Sequence, residues 1–484
     1  MKNLYKFTMA DRRIGPTFFV LLTLLCFSTL FVSCSDTSME GMIVMTQLEG
    51  DLPTGDHTSG SMWRYLPKAR LVAINPDDPK GSLQVLTPDL YSACSPKIAY
   101  DGHFMLFAGQ KNQNDSWQIW EMDLSNKELR QVTASKENCI DPDYLPGNKF
   151  VFSKLMDNGS LKSAHILFTG NLDGSEVSQI TFDPSTYFAS TILQDGRILT
   201  IGKQVFPTEN EGTFKVLRPD GTKQELFFNG PPGTQLQSPA WEMYNGKVVF
   251  TASDKNNRTD IISINYNRPL YGMTNLTEGL QGDFYGIYPL QKDRLLTAYR
   301  ANNKEVYGLY EFDTKGKVLG KSIFKDDRYQ VLDAVMVKNR ERPKKLPSEV
   351  NPEVETALLM CQDINVTEKV DEESRDTESA ATRFELLGLN ATLGIWDVEA
   401  DGSFYIKIAA DTPFRIQTID ENDQIVNGPG SWLYLRPNER RGCVGCHQNN
   451  EMAPKNKQPL AVRKEPIQVM FLGNEHDNET YLKE

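Results

Sequence analysis

The chain has 484 residues, of which 39% are hydrophobic and 10% aromatic, and its formal charge at pH 7 is −12. This composition excludes an intrinsically disordered protein, and the length predicts two or three domains with buried cores. The acidic balance argues against nucleic acid as a partner.

The N-terminal region has the pattern of an export signal. Four basic residues precede an apolar stretch at 17–32, and Ser33 stands before Cys34. This order is typical of a secretory signal, and the stretch is short for a membrane span. Residues 30–34 resemble a lipobox, so we predict removal of residues 1–33 and acylation of Cys34. A signal anchor or a plain secretory signal is the alternative.

Cleavage after Ser33 would remove four basic residues and one acid, leaving a charge of about −15. Residues 34–61 are then predicted to be a tether that ends in a lipid anchor. The expected location is the bacterial cell envelope, on the periplasmic or outer-membrane face. In such an oxidising compartment Cys94 and Cys139 could pair, and two independent buried thiols are the alternative.

Residues 62–365 show short strand patterns that recur roughly every 45 to 50 residues, the length of a propeller blade. Two clear units begin at Ser95-Pro96 and at Asp141-Pro142, turn at Asp-Gly or Pro-Gly, and end at Val-Thr or Ile-Thr. These units resemble TolB-like propeller repeats. Small sheets with two apolar faces bury them only against neighbours, which favours a ring.

We predict an all-β fold with a six- or seven-bladed propeller, in which residues 70–86 complete a blade begun near Val331. A β-sandwich is the alternative. Residues 366–383 are polar and acidic and are interpreted as a linker. Partial alternation of apolar and polar residues at 402–408 and 414–420 predicts a small β-sandwich-like middle domain over 384–437.

The C-terminal segment 438–484 contains the sequence Cys443-Val444-Gly445-Cys446-His447. Two cysteines at this spacing can form thioethers with the vinyl groups of one haem, while the adjacent histidine binds the iron. We therefore predict one covalent haem c held by Cys443, Cys446 and His447. A zinc site and a redox disulfide are the alternatives, but the sequence has no second CxxC or HxxxH motif and no thioredoxin-like context.

Only 37 residues follow His447, too few for a helical cytochrome fold of roughly 80 to 100 residues. We therefore expect the haem to lie against the propeller or the middle domain. The sixth iron ligand stays open, and the candidates are Met336, Met360, Met452, Met470 and His476.

Residues 399–404, 410–414 and 431–447 are similar to those of hydrazine synthase alpha-subunit-related proteins. The resemblance implies a propeller, a β-rich middle domain and haem c attachment in this order. The namesake enzyme uses two haems and a tyrosine four residues after the motif histidine. This chain has one CxxCH motif and Glu451 at that offset, so hydrazine synthesis is not implied.

The function expected from these features is a redox role, either electron transfer or haem chemistry on an unidentified small molecule. The alternative is a propeller-based binding or assembly lipoprotein of the cell envelope with a structural haem. A redox protein or an envelope protein is the expected partner. The sequence indicates no catalytic acid or base, so it leaves open whether the chain is an enzyme. Four isolated histidines are interpreted as surface or core residues, namely His57, His103, His165 and His476.

Overall fold

The computed structural model describes six stretches of the chain, which are 38–52, 65–157, 163–254, 258–367, 380–445 and 458–469. These residues form β-strands and two short 3-10 helices, Pro269–Tyr271 and Leu460–Arg463, so the predicted all-β class is confirmed. No helix within these stretches is long and apolar enough to cross a membrane. The predicted signal region 1–33 and Cys34 lie outside the described residues.

The described strands between residues 43 and 336 form six antiparallel sheets, five with four strands and one with five. The strands of the first sheet from the N-terminal side are β1 (Ile43–Glu49), β2 (Ala69–Ile74) and β3 (Gln84–Val85). The second sheet contains β4 (Ser92–Ile98), β5 (Phe104–Gln110), β6 (Gln118–Asp123) and β7 (Leu129–Gln131), and the third contains β8 (Cys139–Leu145), β9 (Lys149–Met156), β10 (Ala164–Asn171) and β11 (Ser178–Gln179).

The fourth sheet contains β12 (Ser185–Ile192), β13 (Ile198–Gln204), β14 (Thr213–Leu217) and β15 (Glu225–Phe228). The fifth contains β16 (Gln235–Leu236), β17 (Trp241–Glu242), β18 (Lys247–Ser253), β19 (Thr259–Asn265) and β20 (Thr274–Asn275). The sixth contains β21 (Asp283–Gln291), β22 (Arg294–Arg300), β23 (Gly308–Asp313) and β24 (Val318–Phe324), and β25 (Tyr329–Met336) follows it.

The first sheet joins distant parts of the chain, because β25 pairs with β1 in the order β25-β1-β2-β3. Residues 70–86 and the segment near Val331 thus share one sheet, as predicted. The strand β1 lies within the predicted tether 34–61, so the sheets begin at Ile43 and not at residue 62. Its residues are buried from Ile43 to Leu48 between two strands, and burial of the apolar side chains among them favours its place in the sheet.

Neighbouring sheets pack through shared apolar clusters. Phe150 of the third sheet lies in one cluster with Leu106 of the second, and Tyr187 of the fourth shares another with Val151 of the third. The rings of Phe214 and Phe250 are 4.9 Å apart between the fourth and fifth sheets. Shared burial of this kind is what holds a propeller-like ring together.

A second β-rich part contains two four-stranded sheets, ordered β32-β26-β29-β33 and β28-β27-β30-β31. Its strands are β26 (Thr356–Cys361), β27 (Arg383–Leu387), β28 (Thr392–Asp397), β29 (Phe404–Ala409), β30 (Arg415–Ile419), β31 (Ile425–Asn427), β32 (Arg440–Cys443) and β33 (Ile467–Gln468).

The strand β26 lies within the predicted propeller region 62–365, but it belongs to a sheet of this second part. It pairs with β29 and β32, and its alternate residues Ala357 and Leu359 join the core of this second part. Alternation buries one face of the strand, and that face matches the apolar face of β29. Residues 368–379, most of the predicted linker, lie outside the described residues.

Candidate haem attachment site

The strand β32 carries the predicted haem motif to the edge of its sheet. It runs parallel to β26, with Cys443 opposite Cys361, and the amide of Gln362 donates a 2.9 Å hydrogen bond to the carbonyl of Cys443. The first motif cysteine is therefore held by the sheet. Cys446 and His447 lie outside the described residues.

Cys443 has a half-buried side chain that packs against the core of the second β-rich part. Burial raises the pKa of its thiol, and the nearby Arg441 opposes this rise. The residue therefore presents a neutral, partly accessible thiol at the end of a strand. Of the three predicted haem-binding residues, Cys443 is the one within the described stretches, and a partly exposed thiol at a strand end could form a thioether.

The glycine of the motif is required by close packing of the backbone. A Cβ atom at Gly445 would lie 2.1 Å from the carbonyl oxygen of Val366, a contact that would force the chain to shift. The segment after β26 therefore lies directly against the motif.

Glu439 ties the start of the attachment segment to the propeller. Its carboxylate is 0% exposed and accepts hydrogen bonds from the amides of Arg436 (2.8 Å) and Lys223 (2.9 Å). The Arg441 guanidinium donates two more, from Nε at 3.0 Å and from a terminal nitrogen at 2.7 Å. Since Lys223 lies between β14 and β15, one buried carboxylate links the fourth propeller sheet to the strand that bears Cys443.

Three large side chains extend the same contact. The Tyr434 hydroxyl lies 3.0 Å from the carbonyl of Ile180 and 3.1 Å from that of Gly221. The Trp432 indole donates a 2.8 Å hydrogen bond to a propeller carbonyl, and the Arg436 guanidinium lies 4.6 Å from the centre of a propeller phenylalanine ring. Sequence reasoning missed this docking role, although alternation of Trp432, Tyr434 and Arg436 along an extended segment was a usable signal.

Asp411 is a buried acid beside the segment 432–436, which contacts the propeller. Its carboxylate lies 3.2 Å from the Arg436 guanidinium, but the contact lacks hydrogen-bond geometry. Burial raises the pKa of Asp411 to about 6, Arg436 opposes the rise, and Glu439 adds to it. The group thus titrates close to neutral pH, unlike an ordinary aspartate.

The structure separates the candidates for the sixth iron ligand. Met360 lies opposite Gly442 in the strand pair, so alternation directs its side chain to the face opposite to that of Cys443. Met336 ends β25 in the propeller. Met452, Met470 and His476 lie outside the described residues, as does His57.

The two described histidines lie in the propeller region. His165 is buried, its Nε2 lies 2.6 Å from the Tyr65 hydroxyl, and burial lowers its pKa to about 4. His103 is exposed at a turn. These positions confirm the interpretation of the two residues as core and surface histidines.

A separate cleft of about 320 Å³ lies on the propeller part, where Trp241 and Glu242 face Lys338 and Arg340. Burial raises the pKa of Glu242 and lowers that of Lys338. Next to it, the Lys97 ammonium lies 4.4 Å from the Trp241 ring centre and 3.3 Å from a carboxylate oxygen of Asp143. Because these three residues come from three different sheets, their contacts join strands of the second, third and fifth sheets.

No disulfide joins the four cysteines of the described stretches, which are Cys94, Cys139, Cys361 and Cys443. The pairing considered for Cys94 and Cys139 is therefore not present in this structure. Within the same stretches, no group of three or more His, Cys, Asp or Glu side chains could hold a metal ion. The zinc alternative at the motif would depend on residues outside these stretches.

Residues 354–448 match the family model described as "Hydrazine synthase alpha subunit middle domain". The chain is 21% identical to the hydrazine synthase subunit alpha of Kuenenia stuttgartiensis over 79% of this chain and 63% of that protein. It thus spans less than two thirds of that relative.

The solved structure of Kuenenia stuttgartiensis hydrazine synthase has a TM-score of 0.75 to this chain at 18% identity, covering 88% of this chain and 71% of the other. TolB from Acinetobacter baumannii has a TM-score of 0.45 at 14% identity, covering 65% and 70%. The family match, the relative and the first structure confirm the resemblance predicted from the sequence. At this identity the structural likeness shows the fold alone.

Proposed function

We propose that this chain is an exported, lipid-anchored c-type haem protein with a redox role. Cys443 and Cys446 would form the thioethers to one haem, and His447 would bind its iron. The similarity to a hydrazine synthase subunit supports a haem-related redox role in general. Hydrazine synthesis itself is not part of the proposal, because the sequence has Glu451 where that subunit has a tyrosine.

The observation that carries the proposal is the fixed position of Cys443. The strand β32 is paired with β26 on one side, and Glu439 and Arg441 bind it to the propeller on the other. A redox haem benefits from such a rigid attachment, because burial and nearby charges set its potential. When bound, haem c would supply a one-electron Fe(III)/Fe(II) couple.

The chain's own residues would position and cover this group. Cys443 would hold the group from a strand end, and the close contact of Gly445 with Val366 fixes the backbone two residues after it. The buried Glu439–Arg441 pair would lie near the group, since Arg441 is two residues before Cys443. The surroundings of the haem would thus come from both parts of the protein.

The proposal has finer parts that rest on the sequence and on the sheet order. We propose a six-bladed propeller, since the described strands between residues 43 and 336 form six sheets. We also propose that Cys34 carries the lipid and that the protein lies in the cell envelope, where a redox or envelope protein would be its partner.

A second candidate function is supported by the cleft beside Trp241. It has room for a small ligand or a peptide side chain and combines aromatic walls with charged groups of both signs, a typical composition for a binding site. The chain would then be a binding or assembly lipoprotein whose haem is structural.

The test is a visible spectrum of the mature protein from a host that attaches haem c. We expect haem absorption that shifts on reduction and a haem that stays on the polypeptide after acid–acetone extraction. A Cys443→Ala, Cys446→Ala double variant should lose the covalent haem, whereas Cys94→Ala should keep it as the matched cysteine control. A colourless protein with the mass of the polypeptide plus lipid would overturn the proposal.

The reduced protein also separates the redox alternatives. An iron that binds no added carbon monoxide would favour electron transfer, and an iron that binds it would favour haem chemistry on a small molecule. If Trp241→Ala abolishes capture of an envelope partner while the double cysteine variant does not, the binding function is favoured.

A further inference from the structure

A third cysteine lies beside the haem motif in the fold, although it is far from it in the sequence. Cys361 is the last residue of β26 and Cys443 the last residue of β32, and the register of the parallel pair places them directly opposite each other. Paired residues on neighbouring strands point to the same face of the sheet. The two side chains therefore leave the sheet from neighbouring positions on one face.

Burial patterns give independent support for this placement. Cys361 belongs to the apolar core of the second β-rich part, and Cys443 packs against the same cluster. The alternate positions, Met360 and Gly442, pair on the other face. Both lines of evidence place the two side chains on the core side of the sheet edge.

The spacing suits a disulfide. Neighbouring strands lie about 4.8 Å apart, within the range of roughly 4.4 to 6.8 Å that separates the Cα atoms of bridged cysteines. Both residues end their strands, so the backbone beyond them can adjust more easily than in mid-strand. The hydrogen bond from Gln362 to the Cys443 carbonyl keeps the two chain segments together during such an adjustment.

We propose that Cys361 and Cys443 form a reversible disulfide in the haem-free protein. The step joins the two sulfur atoms and releases two protons and two electrons. A low-molecular-weight disulfide or a protein disulfide accepts the two protons and the two electrons and is thereby reduced to two thiols. Reduction by a dithiol restores Cys443 for attachment of haem.

The difference in exposure sets the order of events. Cys443 is half-buried, whereas Cys361 is 2% exposed, so an external disulfide reaches Cys443 first and forms a mixed disulfide with it. Cys361 then attacks that sulfur and displaces the external thiol. Burial raises the pKa of Cys443, so the reaction should accelerate as the pH rises above neutral.

The consequence for function rests on the proposed haem attachment. A thioether at Cys443 needs a thiol, and a bond to Cys361 withholds it until a reductant acts. The same bond keeps Cys443 from pairing with Cys446, which would block both attachment positions at once. Cys361 would thus control when the motif can accept its cofactor.

The test uses the full chain produced in a host without haem attachment and treated with oxidised glutathione at pH 8. Trypsin digestion without reductant separates peptide 346–369, which holds Cys361, from peptide 442–455, which holds Cys443 and Cys446. Mass spectrometry should detect the two peptides joined. The link should persist in Cys446→Ser and be absent from both Cys361→Ser and Cys443→Ser, and circular dichroism should show each variant folded.

Two results would overturn the proposal. One is an oxidised product in which only Cys443 and Cys446 are joined, and the other is a peptide link that persists in Cys443→Ser. The mass measurement needs no haem, so the disulfide proposal can hold even if the haem proposal fails. Conversely, a protein that binds haem but never forms the peptide link would refute the disulfide proposal and leave the haem proposal standing.

Discussion

The propeller ring and the surface that docks the attachment segment are held together by different kinds of contact. Neighbouring sheets share apolar side chains, as Phe214 and Phe250 show. The docking surface instead relies on buried charge and directed hydrogen bonds, centred on Glu439 and Tyr434. Apolar packing accepts small shifts, whereas a buried carboxylate with several donors permits one arrangement. Stability of the ring and orientation of the segment that bears Cys443 are therefore separate properties of the sequence.

Phe250→Ala should have the largest effect, because it removes a ring shared by the fourth and fifth sheets. Its side chain is fully buried against Phe214 and Phe228. We expect a loss of about 4 kcal/mol in the free energy of unfolding, measured by denaturant titration. Phe104→Ala, at a position 37% exposed, is the control and should cost about 1 kcal/mol or less. Equal losses for both would mean that the ring does not depend on these clusters.

Glu439→Ala should come next, with a loss of about 3 kcal/mol, because it leaves the Arg441 guanidinium buried without its carboxylate. Lys464→Ala is the matched control, since it breaks an exposed ion pair with Glu399 and should change stability by less than about 1 kcal/mol. Limited proteolysis should also cut Glu439→Ala near residue 439 faster than the wild type. Unchanged proteolysis would show that the carboxylate does not hold the segment.

Asp411→Asn tests the electrostatic side of the docking surface. The pKa of Asp411 is raised to about 6, so the folded state favours the protonated form. Its contribution to stability is full below pH 4 and is lost as the pH rises through about 6. Asparagine cannot ionise, so the variant should be more stable than the wild type by about 2 kcal/mol at pH 7.

The pH profile supplies the control for this variant. Wild type and Asp411→Asn should be equally stable near pH 4, and asparagine also tolerates the left-handed backbone at this position, where φ is 56°. A constant difference between pH 4 and pH 7 would show that the ionisation of Asp411 is not the cause.

Tyr434→Phe should have the smallest effect, about 1 kcal/mol, because it removes the hydrogen bonds to the carbonyls of Ile180 and Gly221 and keeps the ring. The aromatic contact with Phe182 at 5.6 Å is retained. Thermal unfolding of Tyr434→Phe beside Tyr434→Leu separates the hydroxyl from the ring. If Tyr434→Phe is as stable as the wild type, packing of the ring and not these hydrogen bonds holds the docking surface.

The repeat pattern was visible in the sequence because it depends on local signals. Turns and strand starts at Ser95 and Asp141 recur at blade spacing, and the return of the chain near Val331 could be predicted from them. The neighbouring strand with which a single apolar strand pairs could not be predicted in this way. The strands β1 and β26 have ordinary strand patterns, and the register with β25 and β29 depends on residues far away in the chain.

The candidate site divides in the same way. The spacing of Cys443, Cys446 and His447 is a local motif and could be predicted. Glu439 resembles any surface acid in the sequence, and its burial becomes evident only from its bond to Lys223, 216 positions away. The proximity of Cys361 to the motif likewise depends on strand register, which composition and spacing do not contain.

The pairing of β1 with β25 also sets a condition on the nascent chain. Until residue 336 has left the ribosome, one side of β1 has no hydrogen-bonding neighbour, and an unpaired apolar strand can recruit the same strand from another molecule. A truncation that ends before Tyr329 should therefore aggregate although it retains the strands of five complete sheets. The strand β25, which is synthesised last in the ring, thus protects β1, which is synthesised first, from self-association.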